Sequence, residues 1–166
     1  MSRPFAWAAV FLALQAQPGR LLALTNVVGR YRAPDGSCPI EITISEMGGF
    51  HELHLPSTPA RVVDDVTGVL FVVPDRLVYS VSPIYGRPGV FAFNCRTGRV
   101  RRLVRPKNVD PSYPEGLDYF ELAWLKDDRI YFYYAADVDR ADFTTFREPK
   151  NLYVTDLSGS RMRRAR

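Results

Sequence analysis

The sequence predicts an all-β protein built of antiparallel meanders, and three observations carry this. Short apolar runs alternate with turn residues along the chain, with 13 prolines and 11 glycines among 10 phenylalanines and 9 tyrosines. After residue 24 no stretch keeps a 3.6-residue apolar period over the length of a helix. One phrase is also written twice: VLFVVPDRLVYSV at 69–81 returns as LAWLKDDRIYFYY at 122–134. A hydrophobic content of 46% excludes a disordered chain, and 166 residues suffice for one domain with a real core.

The first 23 residues stand apart. Arg3 is followed by an apolar run from Phe5 to Leu14, and then by Gln15, Gln17, Pro18 and Arg20. A positive start, a short apolar stretch and small residues at Ala16 and Ala23 follow the grammar of a signal peptide. The run is too short to span a bilayer, which takes roughly 20 apolar residues. Residues 1–23 are therefore read as a signal peptide or N-terminal apolar segment. Residues 24–166 are read as a single all-β domain of three repeat-like units, about 25–66, 69–104 and 122–165. Export to the periplasm or outside the cell follows, with no stable membrane span in the mature chain.

In the first unit Ile40, Ile42 and Ile44 alternate with Glu41 and Thr43, the pattern of a strand with one wet face. Pro34-Asp35-Gly36 and Gly48-Gly49 supply turns, so 25–66 reads as three or four antiparallel strands. In the second unit Val69–Val73 and Leu77–Val81 flank a break at Pro74-Asp75. In the third, Leu122–Leu125 and Ile130–Tyr134 flank Asp127-Asp128. Each pair reads as a β-hairpin. The second strand of each hairpin is apolar on both faces, which predicts a strand covered from both sides. Each hairpin leads through a loop, 82–89 or 135–150, to a third strand, a T-G or S-G turn and an arginine-rich fourth strand: VFAFNCRTGRVRRL at 90–103 and NLYVTDLSGSRMRR at 151–164.

Hairpin, loop, and then LYVTDLSGS with a basic outer strand resembles one blade of a β-propeller of the TolB-like or WD40-like kind. The resemblance covers about residues 69–165. It implies four-stranded meanders arranged as propeller blades, too few here for more than an incomplete propeller. A β-sandwich or barrel is the alternative architecture.

Cys38 and Cys95 suit a disulfide in an oxidising compartment, which would close a loop worth roughly 4 kcal/mol in the chain-entropy model. No CxxC spacing points to zinc. His51 and His54 in GGFHELHL lie three apart on a strand and so face opposite ways, unlike the two histidines of HExxH. Asp137, Asp139 and Glu148 fall at positions 1, 3 and 12 of a calcium loop, but the glycine of its sharp turn is replaced by Asp142. A solvated acidic loop is the favoured reading there, with calcium as the only cofactor the spacing allows. The basic runs 96–107 and 161–166 fit charged edge strands or a contact with an acidic protein or envelope polymer, and export argues against nucleic acid. The aromatics read mainly as core, with the loop members Tyr85, Tyr113, Phe143 and Phe146 as candidate ligand contacts. No G-x-S-x-G, P-loop or Ser–His–Asp spacing occurs. The expectation is an exported, non-catalytic binding or interaction protein. The alternative is a carbohydrate-active or hydrolase-like enzyme using the loop 135–148.

Overall fold

The middle of the chain shows how the protein is built. Strand β7 (Arg76–Val81) is buried at every residue after Arg76, as its two-sided apolar sequence demands. Its odd positions, Leu77, Tyr79 and Val81, face one core, and Val78 faces another. The structure is a computed structural model that describes residues 21–22, 28–33, 36–45, 49–72, 75–84, 86–107, 112, 116–159 and 161–165. Among these, regular structure is strand apart from two 3-10 turns, Val138–Arg140 and Pro149–Asn151.

The strands form three antiparallel sheets. The first joins β2 (Gly29–Tyr31), β3 (Ile40–Ile44), β4 (His51–Leu55) and β5 (Arg61–Val63) in chain order. The second joins β6 (Val66–Val72), β7, β8 (Gly89–Asn94) and β9 (Arg99–Val104), with β1 (Leu21–Leu22) added beside β6. The third joins β10 (Tyr119–Lys126), β11 (Arg129–Ala135), β12 (Leu152–Asp156) and β13 (Arg163–Arg164). Of the segment read as a leader, only Leu21–Leu22 lies within the described residues, where it pairs with Leu70 and Val69.

The sheets stack in chain order. Ile42, Leu53 and Leu55 of the first meet Phe71, Leu77, Tyr79 and Phe93 of the second. Leu70, Val78 and Val90 of the second meet Phe120, Leu122, Ile130 and Phe132 of the third. The middle sheet is thus covered on both faces. Leu77 faces the sheet before its own and so does Ile130, and both are fully buried. The repeated phrase therefore occupies equivalent places in two successive layers. Thr67 and Phe120, 53 residues apart, touch directly: the Thr67 hydroxyl donates to the Phe120 carbonyl at 2.6 Å.

The two hairpins differ in one respect. The Val72–Arg76 pair leaves three residues between its strands, whereas Lys126 pairs with Arg129 across Asp127-Asp128 alone. Both aspartates have positive φ, 50° and 56°, the left-handed pair that a two-residue hairpin turn requires and that Asp tolerates. The residue missing from the turn reappears as a bulge between Leu122 and Trp124. Beyond that bulge the two registers coincide again, with Leu122 opposite Phe132 as Val69 is opposite Tyr79.

Cys38, just before β3, and Cys95, just after β8, form a disulfide with a Cα–Cα distance of 5.2 Å. It fastens the first sheet to the second. No helix among the described residues is long and apolar enough to cross a membrane.

Candidate functional site

The outer face of the third sheet differs from what alternation alone would give. Counting by twos along β10 puts Phe120, Leu122 and Trp124 inside, with Tyr119, Glu121 and Ala123 outside. The bulge resets the count. Trp124 pairs with Tyr131 and emerges on the outer face, 38% exposed. There the two rings stack at 5.3 Å with a 20° interplanar angle. Trp124 and Tyr131 are the residues that sequence reasoning missed. The two phrases align without a gap in the sequence, so the bulge that brings these residues out shows only in the strand pairing.

Further along the same face, Tyr119 and Tyr133 meet the loop that follows β11. Asp142 starts its turn: its carboxylate accepts from the Thr144 amide (3.0 Å), the Thr144 hydroxyl (2.6 Å) and the Thr145 hydroxyl (3.0 Å). These bonds, that of the Thr144 hydroxyl foremost, hold the Asp142 carboxyl below its ordinary value. Asn151 closes the turn by donating to the carbonyls of Thr145 and Phe146. The loop is pinned to β10 by Arg147, whose guanidinium donates to Glu121 at 2.7 Å. Phe146 is only 2% exposed, packed against Tyr119 (5.1 Å) and Tyr133 (5.9 Å), so it anchors the loop and does not stand open. Phe143 is 53% exposed and meets Tyr119 edge-on at 5.2 Å. Burial, with Glu121 and Asp65 nearby, pushes the Tyr119 hydroxyl up to about 12.

Of the other sequence-predicted ligand contacts, Tyr85 and Tyr113 lie outside the described residues. The acidic trio of the loop is spread among local partners. Asp137 caps the turn by accepting from the Asp139 amide at 3.0 Å and pairs with Arg140 at 3.2 Å. Glu148 pairs with Lys150 at 2.9 Å. Among the described residues no three His, Cys, Asp or Glu side chains come together. A shallow cleft of about 350 Å³ lies behind the loop, lined by Asp137, Arg140, Asp142, Phe146 and Lys150.

The two histidines diverge, as the strand spacing requires. His51 turns towards the first core, where burial lowers its pKa. His54 turns outwards and shares Thr43 with Glu52: the Thr43 hydroxyl lies 2.9 Å from His54 Nε2 and donates to Glu52 at 3.2 Å. At the disulfide end an open groove of about 850 Å³ runs between Pro56–Val62 and Cys95–Gly98. Its walls hold Arg61 and Arg96, and no carboxylate lines it among the described residues.

Comparison with family models, curated proteins and solved structures returns no match.

Proposed function

We propose that the chain is an exported, non-catalytic binding protein whose ligand lies on the aromatic outer face of the third sheet. The observation that carries this is the exposed Trp124–Tyr131 stack, aligned along β10 with Glu121, Tyr119 and Phe143. Between Tyr119 and Trp124 the strand runs about 16 Å, which is room for an extended ligand with several flat rings. Flat apolar rings flanked by one polar pair, Glu121–Arg147, suit the ring faces and hydroxyls of an oligosaccharide. The enzyme alternative asks for acid and base groups aimed at one point. The loop acids serve local hydrogen bonds and ion pairs instead, and the depressed Asp142 carboxyl suits a turn cap better than a proton donor.

Export is supported by the Cys38–Cys95 bridge, since disulfides persist where the surroundings are oxidising. A cut after Ala16 keeps the pairing of Leu21–Leu22 with β6, and a cut after Ala23 removes it. Three four-stranded meanders stacked in chain order support the likeness to successive propeller blades. A closed ring takes four to eight blades, so the proposal extends to blade-like stacking and not to closure.

The test uses the single tryptophan left once Trp7 is removed with the leader. Trp124 fluorescence of the mature protein, titrated with a panel of neutral and acidic oligosaccharides, should shift for at least one. Tyr131→Ala in the same titration, and Trp124→Ala followed by calorimetry, should each weaken that binding at least tenfold with the fold intact. Turnover of any panel member, or binding indifferent to both substitutions, refutes the proposal.

A further inference from the structure

The charges of this protein are segregated. Segments 96–107 and 161–166 carry ten of the 22 cations and no acid. The other 12 cations share the rest of the chain with all 18 acids. The formal charge of +4 is therefore a strongly basic fraction set against an acidic remainder.

The fold brings the two basic segments together. Among the described residues β9 is an edge strand of the second sheet and β13 an edge strand of the third. The turn after β12 rests on β9, where the Arg101 guanidinium donates to the Ser158 carbonyl. Gly159, at φ 74°, makes that approach possible: a Cβ there would stand 3.3 Å from the Cα and carbonyl oxygen of Leu103.

The cations of this edge are also held differently from the others. Elsewhere Arg30, Arg140, Arg147 and Lys150 each sit 2.7–3.2 Å from a carboxylate. Here Arg102 donates to the Pro88 carbonyl and lies over the Phe91 ring at 5.4 Å. Arg164 lies over Tyr153 at 5.8 Å, and Lys107 stands 5.6 Å from the Tyr134 ring and 5.9 Å from Tyr153. Arg99, Arg105, Arg161 and Arg163 are exposed, with no carboxylate in ion-pair range among the described residues. Arg96 sits 3.8 Å from Asp75. Blunting an edge against other strands needs only solvated charge. Carbonyl oxygens and ring faces order these groups while leaving their charge in place, which is the preorganisation that an anion site needs.

We infer that the joined β9–β13 edge binds an extended phosphate-bearing polymer. Arginine's planar fork grips a phosphate through two parallel N–H bonds. Arg99 and Arg101 alternate on β9, roughly 6.6 Å apart, and Arg105, Lys107, Arg161, Arg163 and Arg164 extend the cluster, so the edge offers many cations to a flexible chain of anions. A folded acidic protein fits less well, because a protein interface wants an apolar centre. The large exposed apolar residues, Val28, Ile44, Val62, Ile84, Trp124 and Phe143, all lie off this edge. No described helix is available to enter the major groove of a duplex.

The probe is long-chain inorganic polyphosphate, with single-stranded DNA as a second source of the same chemistry and polyglutamate as the carboxylate control. The mature protein should bind polyphosphate at low salt, with log K falling linearly as log salt rises. Arg99→Gln, Arg105→Gln and Arg163→Gln together should lower that slope by about 2–3, roughly one per lost contact, with the melting temperature unchanged. The three lysine variants should keep the slope and bind more weakly, because they keep the charge and lose the fork. The paired-arginine control, Arg30→Gln with Arg140→Gln, should leave the slope unchanged. Failure to bind polyphosphate at low salt, an unchanged slope in the glutamine variant, equal affinity for polyglutamate, or tighter binding of duplex DNA overturns the inference. Tighter binding of single-stranded DNA than of polyphosphate would support it and name the source.

Discussion

Gly68→Ala probes the joint between the second and third sheets. Gly68 is buried on β6 at the place where β10 crosses it. A Cβ built there would stand 2.9 Å from Leu122 Cβ, and 3.3 Å from both Leu122 N and Ser80 Oγ. None of these atoms is the free end of a flexible chain, so the strands must move apart. Forced overpacking of this kind costs roughly 1–3 kcal/mol. The movement also opens the bond from the Leu122 amide to the fully buried Ser80 hydroxyl (3.2 Å), and a buried donor left unpaired costs roughly 1–3 kcal/mol more. Against this stands a gain of about 0.4–1 kcal/mol from the stiffer unfolded chain. A net loss of about 2–4 kcal/mol follows, or a fall of very roughly 5–15 °C in melting temperature for a domain of this size. Gly29→Ala is the control. There the nearest atom to an added Cβ is Tyr31 Oη at 3.4 Å, an ordinary contact, so the same unfolded-state gain should leave that variant neutral or slightly more stable. Urea unfolding followed by circular dichroism would separate the two. If Gly68→Ala changed stability by less than 0.5 kcal/mol, or if Gly29→Ala cost as much, the close approach of β6 and β10 would be refuted.

Leu77→Ala and Ile130→Ala, both fully buried, should each cost roughly 2–5 kcal/mol in the same assay, whereas exposed Arg129→Ala should stay within about 0.5 kcal/mol. Cys38 and Cys95 should resist alkylation until reduced, and reduction should lower stability by up to roughly 4 kcal/mol in the chain-entropy model; rapid labelling of the unreduced protein would exclude the bridge. Burial raises the hydroxyls of Tyr79 and Tyr119 from an ordinary 10 to about 12, so their stabilising contribution is complete below pH 10 and lost as the pH climbs towards 12. Tyrosinate absorbance should therefore lag behind that of free tyrosine and then rise with unfolding; full titration near pH 10 in a folded protein would contradict this. Millimolar calcium should leave the melting temperature unchanged, because Asp137 and Glu148 are engaged by Arg140 and Lys150; a rise reversed by chelator would reinstate a calcium loop.

Much of this fold was legible because its strands carry their burial in their letters. RLVYSV announces a strand covered on both faces, and β7 is one. IEITI announces one wet face, and Glu41 and Thr43 are on it. RIYFYY looks just as two-sided, yet only Ile130, Phe132 and Tyr134 reach a core between sheets. Tyr131 and Tyr133 are half-buried under Trp124 and Phe146. Sequence cannot tell a strand covered by another sheet from one covered by its own loop and neighbour, because both need the same aromatic surface. The bulge at Ala123 hid Trp124 for a different reason: one inserted residue inverts every later inside–outside assignment. Arg101, within the basic run that reads as a charged edge strand, is tied to the Ser158 carbonyl by a contact that only stacking creates.

The two end faces of the stack bear on how the aromatic surface should be understood. Among the described residues each is an outermost layer and faces water. The first sheet meets that condition with Thr43, Glu52 and His54, in contact with one another at 2.9–3.8 Å, with Glu41 paired to Arg30 at 3.2 Å, and with Val62 48% exposed beside His54. The third sheet meets it with Trp124, Tyr131, Tyr133 and Tyr119, then covers half of them with a loop and leaves Trp124 and Phe143 open. Solvation alone would favour the polar solution at both ends, since an exposed ring contributes little to stability and invites association. The two-residue turn at Asp127-Asp128 and its compensating bulge bring Trp124 out at the only large exposed ring on β10. The same bulge inverts the inside–outside assignment of every later residue of β10 and so sets Trp124 on the end face where Phe143 also stands open, as the proposed binding face requires.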